Sequence, residues 1–179
     1  MKINVRQWIC ALMLLVLPVL VQAEVHQHAS SDAEMAQEVL TYVNQYRVSR
    51  GLPKLVMNEA ANREARQHSM EMAKHQVPFG HSGFSQRMRH LYRNIDDAEG
   101  GAENVAYNYK TARIVVDGWI KSPGHRQNMV GRYDVTGIGI VRDNQGRLYF
   151  TQLFVRTHKH THPQARAAKS ARRVHFFVG

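Results

Sequence analysis

Cysteine is nearly missing from this chain. Its 179 residues hold one, Cys10. That cysteine sits too early to be a lipoprotein cleavage site, and after it there is no thiol for a disulfide or for a Cys nucleophile. Stability must come from a packed core, which a chain of this length can supply. Long apolar runs are scarce as well. The stretch from Trp8 to Val21 is broken by Pro18 and is shorter than the roughly 20 residues a membrane-spanning helix needs. No internal repeat is visible. The nucleophile-elbow pattern G-x-S-x-G is missing too, because Gly80-His81-Ser82-Gly83 is followed by Phe84.

Acidic residues are the other shortage, 14 against 24 Lys and Arg, for a formal charge of +10. The imbalance is local. Arg156, Lys159, Arg166, Lys169, Arg172 and Arg173 fall in a final segment with no acid. This basic tail, residues 156–179, is expected to be disordered, and it suits either attraction to an anionic surface or simple solvation. No nucleic-acid partner is expected. His158, His160 and His162 would share one side of an extended tail as a weak metal site. Val174 to Val178 is a short apolar end that could dip into a membrane interface or dock back, with disorder the simpler reading.

The start of the chain reads as a secretory signal over residues 1–23. Lys2 and Arg6 precede the apolar run, and Val21-Gln22-Ala23 is a small-x-small cleavage site. The protein is therefore expected to be exported, to the periplasm or beyond the cell, with no transmembrane segment in the mature chain. Residues 24–30 form a flexible lead. Cleavage after Ala23 would leave Glu24-Val25-His26 at the new terminus. There an α-amine, two amides and the His26 ring can present four nitrogens in a plane, a geometry suited to Cu(II) or Ni(II).

Helical spacing of Met35, Val39, Tyr42, Val43 and Tyr46 predicts a helix from a Ser31/Glu34 capping box to about Arg50. Gly51 and Pro53 end it. Asn58 caps a second helix, predicted to reach about Gln76. His68, Glu71 and His75 share a face of that helix, where a solvated polar face is preferred over a metal pair. A loop over Val77–Gly83 leads to a short helix, Phe84 to Leu91, and Arg93 to Gly101 reads as polar loop. A short strand, Glu103 to Tyr107, follows. Thr111 caps a helix over Ala112 to Ser122 whose Val115, Val116, Trp119 and Ile120 face the core. His125 to Met129 form a helical turn. Val135 to Arg142 and Leu148 to Val155 are strands joined by a turn at Asp143-Asn144-Gln145-Gly146. In the second strand Leu148, Phe150, Gln152 and Phe154 alternate with Tyr149, Thr151, Leu153 and Val155. Helices followed by a hairpin argue for an α+β fold.

The densest chemistry lies in Gly101-Ala102-Glu103-Asn104-Val105-Ala106 and Trp119-Ile120-Lys121-Ser122-Pro123-Gly124-His125-Arg126-Gln127-Asn128. Glu103 to Ala106 resembles the GENVA/GENLA motif of the CAP superfamily (SCP or PR-1-like domains). Trp119 with Ser122 to Arg126 resembles the W-x-x-SPGHR signature of its bacterial members. Asn44, Arg47, Gly51, Leu52 and Leu55 resemble the start of such domains. The resemblance runs from about Glu34 to Val155 and rests on two motifs in the right order. It implies a CAP/SCP-like domain over residues 31–155, a three-layer α-β-α sandwich with a central antiparallel sheet.

The resemblance also implies a cleft lined by two His and two Glu. His81, Glu103 and His125 match three of these positions, and Ser122 stands at the fourth, where the family's second Glu would be. Two imidazoles and a carboxylate in a cleft can bind a divalent metal such as Zn(II), or can hold one another, Glu103 orienting an imidazole. They can also form a buried polar network that fixes loops to the sheet. For Asn104, Trp119 and Asn128 the structural role is preferred: Trp119 packs, and the two Asn satisfy loop backbone. The expected function is binding of a small lipid or cell-wall-derived ligand. A hydrolase using His/Glu acid–base or metal-assisted chemistry, and a surface module acting through the basic tail, are the alternatives.

Overall fold

A computed structural model of the chain describes residues 31–157. Residues 1–30, with the expected signal and lead and His26, and residues 158–179, with most of the expected tail, lie outside the described residues. The first helix, α1, covers residues 31–49. Of its predicted stripe, Val39 and Val43 are fully enclosed and Met35, Tyr42 and Tyr46 are partly buried, while Ala36 and Leu40 are buried beside them. It closes on a paired C-terminal motif: the Leu52 N–H reaches the Arg47 carbonyl and the Gly51 N–H the Val48 carbonyl, with Gly51 at φ +72°. The motif residues Asn44 and Arg47 turn out to be clamps. Asn44 both donates to and accepts from the Leu55 backbone. The Arg47 guanidinium is buried and donates to the carbonyls of Pro53, Met129, Gly131 and Tyr133. Loops distant in sequence are thereby tied to one helix end.

After α1 come β1 (Val56–Met57), α2 (Glu59–Ala73), α3 (Phe84–Asn94), β2 (Ala98–Tyr107), α4 (Ala112–Lys121), α5 (Pro123–Met129), β3 (Val135–Arg142) and β4 (Leu148–Thr157). Asn58 and Thr111 cap α2 and α4 as expected, accepting from the N–H groups of Ala61 and Ile114. The sheet runs β1-β3-β4-β2. Its three long strands are antiparallel, and the two-residue β1 adds a parallel edge on β3.

Alternation along β4 sorts the core. Phe150 and Phe154 pack with α1 and α4 residues such as Val43, Val116 and Trp119. Leu153 and Val155 pack on the opposite side with Ala61, Ala65, Met88 and Leu91 of α2 and α3. Helices on both faces of the sheet give the three layers, and the fold is α+β. The approach of α2 to the sheet depends on Gly137 and Gly139. A Cβ at either position would collide with the α2 backbone at Ala61 or at Ala65–Arg66.

Several boundaries differ from expectation. The second helix ends at Ala73 because His75 adopts φ +55° and its own N–H and that of Gln76 bond back to Met72 and Glu71. No glycine announces this left-handed residue. The third helix runs on to Asn94, and β2 starts five residues earlier than predicted, because Gly100 and Gly101 pair with Arg156 and Val155 of β4. The tertiary partner overrides the local preference of glycine for loops. The last strand continues past Val155 to Thr157, whose backbone and hydroxyl bond Asp134. Arg156, counted with the tail by its charge, therefore belongs to β4 and pairs with Glu99 at 2.8 Å.

Candidate functional site

Glu103 sits on β2 with its side chain 2 % exposed. A carboxylate this buried needs partners, and α3 supplies one. Arg87 donates from Nε to Oε2 at 2.8 Å and from Nη2 to Oε1 at 2.9 Å, and from Nη1 to the Ser82 carbonyl at 2.7 Å. The fork-to-fork geometry fixes the carboxylate plane. The Nδ1 atom of His81 lies 2.8 Å from the same Oε1. The His81 side chain is 55 % exposed, so the ring stands in solvent while its inner edge is anchored on a locked, buried acid. A neutral ring in this arrangement carries its proton on Nδ1 and turns the Nε2 lone pair outward.

The opposite wall is α5, which covers the outer edge of β2. Asn104 donates to the His125 carbonyl at 3.1 Å, and Asn128 donates to the Glu103 carbonyl and to the Asn104 side chain. Both Asn thus satisfy backbone, and Trp119 is enclosed in the core. The His125 ring is half-buried. Its pKa is lowered first by burial and then by the nearby His81 ring, which favours the neutral form. Ser122 joins α4 to α5 through its backbone, and its hydroxyl caps neither helix. His81 meets Glu103 directly, and the His125 ring lies near that of His81.

Two further residues, Arg87 and His68, shape the site. Arg87 sits among Phe84, Met88 and Leu91 on the inward stripe of α3. An arginine at an apolar-stripe position is the signal that could have revealed it. His68 corrects the expectation of a solvated polar face on α2. Its side chain is fully buried, with Nε2 2.7 Å from the Gly80 carbonyl. It thus braces the loop that carries His81. Glu71 lies 3.9 Å from its Nδ1, and His75 is exposed beyond the helix end.

Burial pushes the His68 pKa below its ordinary 6.5, with Arg87 acting in the same direction, although the Gly80 carbonyl, Glu103 and Glu71 oppose it. Protonation therefore favours the unfolded chain. This contribution to stability is intact above pH 6.5 and is lost as pH falls from there toward the lowered folded-state value. Thermal melts between pH 7.5 and 5 should show a steeper loss of Tm in wild type than in His68→Gln, whose amide keeps a donor for Gly80. Parallel curves would show that His68 does not titrate in this window.

The donor set fits a divalent metal poorly. Both Glu103 oxygens are committed to Arg87, and a hydroxyl stands where a second carboxylate would complete the set. Among the described residues no three His, Cys, Asp or Glu side chains are grouped so as to hold a metal ion. Elsewhere, an open groove of about 430 Å³ lies between the end of α1 and α5, lined by Tyr46, Arg50, Leu52, Arg126 and Val130 among others. His81, Glu103, Ser122 and His125 are not among its lining residues.

Residues 40–154 match the family model described as the cysteine-rich secretory protein family, CAP. Two curated relatives come from Bacillus subtilis. The uncharacterized membrane protein YlbC is 31 % identical over 122 residues, 67 % of this chain and 34 % of that protein. The uncharacterized protein YkwD is 30 % identical over 131 residues, 70 % of this chain and 49 % of that one. The chain thus spans a third to a half of the length of these relatives. In fold it is similar to an outer surface protein of Borrelia burgdorferi (TM-score 0.62, 17 % identity, 69 % of this chain and 93 % of that one). It is likewise similar to an SCP-domain extracellular protein of Bacillus anthracis (TM-score 0.61, 23 % identity, 70 % and 41 %). The matched span contains no cysteine, and its loops are held by Arg47, Asn44, Asn104 and Asn128 instead. By its fold and its matched span, the chain belongs to the cysteine-rich secretory protein (CAP) family.

Proposed function

We propose that this domain binds a small ligand, of lipid or cell-wall origin, in the cleft formed by His81, Glu103, Ser122 and His125. One observation carries the reading: a solvent-facing imidazole anchored on a buried carboxylate that is itself locked by a buried arginine. A buried ion pair contributes little net folding stability compared with apolar packing. Setting one under an exposed ring is better explained by the need to fix that ring's tautomer and direction. Its outward Nε2, beside the half-buried His125, offers hydrogen bonds of fixed direction to a ligand.

The test is a titration of 15N-labelled protein, once with total lipid extract in micelles and once with soluble fragments of enzymatically digested cell wall. One titrant should move the ring resonances of His81 and His125, and His81→Ala should weaken its binding about tenfold, the value of one good hydrogen bond to a ligand. Equal affinity of wild type and variant for whichever titrant binds would defeat the proposal, as would failure of both titrants.

The same His81–Glu103 pair favours one other reading. An imidazole oriented by a carboxylate, with Nε2 free, is the arrangement of a general base. Turnover of an ester or glycoside by wild type and not by His81→Ala would support a hydrolase. We also read the protein as exported, on its signal-like start. The bases beyond residue 157 (Lys159, Arg166, Lys169, Arg172 and Arg173) suit attachment to anionic surfaces. That attraction should weaken with added salt, which screens over about 8 Å at physiological strength.

A further inference from the structure

The loop between α2 and α3 sets two rings on the same face of β2. His81 meets Glu103. Two residues earlier, Phe79 meets Tyr107, with ring centroids 6.0 Å apart and planes tilted by 55°. Glu103, Val105 and Tyr107 point to one face of the strand by its alternation, so the two contacts are four residues, about 13 Å, apart along it. Tyr107 is backed by Tyr149 at 4.8 Å and met by the Arg147 guanidinium at 5.6 Å. The stack is solid at its base and open at its tip: Tyr149 is buried, Tyr107 half-buried, and Phe79 54 % exposed. Val105, between the two contacts, is buried at 5 %.

We propose that Phe79 and Tyr107 extend the His81 cleft into a subsite for an uncharged glycan chain, in which one pyranose ring stacks on the aromatic pair and another, further along the chain, meets His81. This rests on the cleft reading above and names its ligand class. A sugar ring has a C–H face, which lies well against the electron-rich face of an aromatic ring, and a rim of hydroxyls that must be hydrogen-bonded when bound. The site offers both. Phe79 presents an apolar ring in solvent, and His81 presents Nε2 as an acceptor because Nδ1 is taken by Glu103. Glu103 in turn is neutralised by Arg87, so the cleft carries no bare charge that would demand a charged ligand. An acyl chain would need a continuous enclosed apolar channel. Here the apolar Phe79 and the polar His81 are both open to solvent, on one loop above strand positions about 13 Å apart, an arrangement suited to a short chain of linked rings.

The experiment is calorimetric titration of the full chain with chito-, cello- and manno-oligosaccharides of one to four units, comparing wild type, Phe79→Ala and His81→Ala. Phe79 is an exposed loop residue, so its truncation should leave the melting curve in place, which is checked first. In at least one series affinity should rise with length. Phe79→Ala should then lose about tenfold for the tetramer and leave the monosaccharide unchanged, while His81→Ala weakens both. If Phe79→Ala binds the tetramer as tightly as wild type while His81→Ala remains impaired, the glycan subsite is wrong and the cleft reading stands. If no saccharide binds and lipid micelles still move the His81 ring, the ligand class is wrong. If neither saccharide nor lipid depends on His81, both readings fall.

Discussion

Arg87→Ala should destabilise the domain by about 3–5 kcal/mol, the usual result of leaving a buried charge without its partner. For a domain of this size that is a fall in Tm of roughly 10–20 °C. The variant removes two charge-assisted bonds from a Glu103 side chain that is 2 % exposed. It leaves only His81, whose other face is in water, to compensate the carboxylate. The bond from Arg87 to the Ser82 carbonyl goes with it, freeing the loop that carries His81. Adding Glu103→Gln to Arg87→Ala should recover part of the loss, because no buried charge then remains. Arg87→Lys should recover little, since an ammonium cannot reproduce the planar fork. Urea denaturation of the four proteins decides the matter. A loss below 1 kcal/mol for Arg87→Ala would mean that water reaches Glu103.

Gly139→Ala should cost about 3 kcal/mol or more, at or beyond the upper end of overpacking effects. The new methyl would meet the backbone of Ala65 and Arg66, and backbone cannot rotate out of the way as a side chain can. The helix α2 would have to lift from β3. It carries Ser69, whose hydroxyl bonds the Gly139 carbonyl at 2.9 Å, and His68, which braces Gly80. The damage should therefore reach the loop that carries His81, seen as a shift of the His81 ring resonances. Gly124→Ala is the control. No atom lies within 4 Å of a Cβ there, and the residue is helical, so the change should be neutral or mildly stabilising. Similar melting temperatures for the two variants would contradict the close-packing account of Gly139.

Much of this architecture is legible in the sequence, for identifiable reasons. The strand over residues 148–157 is buried on both faces, yet its alternation still assigns Phe150 and Phe154 to one layer and Leu153 and Val155 to the other. Asn58, Thr111 and Gly51 mark helix ends because capping and left-handed geometry are local chemistry. The pairing of His81 with Glu103 is legible through motif resemblance, since no spacing rule joins residues 22 apart. The rest is set by partners distant in sequence. Gly100 and Gly101 read as loop until β4 lies beside them. His75 ends α2 in a conformation its residue type seldom takes. Arg87 stands on the apolar stripe of α3, but its partner Glu103, 16 residues on, is set by packing. His68 reads as one member of a polar stripe, and only packing shows it fully buried with Gly80 as its partner.

Glu103 should hold His81 with Nδ1 protonated and Nε2 turned outward, without help from a metal. Long-range 1H–15N correlation spectra of the imidazole rings at pH 7.5 read this directly. They should be recorded in chelator, then with Zn(II), for wild type and for Glu103→Gln. The account predicts the Nδ1–H tautomer for His81 in chelator, no change at one equivalent of Zn(II), and loss of the single tautomer in Glu103→Gln. An Nε2–H tautomer in wild type, or His81 and His125 resonances that shift together on adding Zn(II), would contradict it.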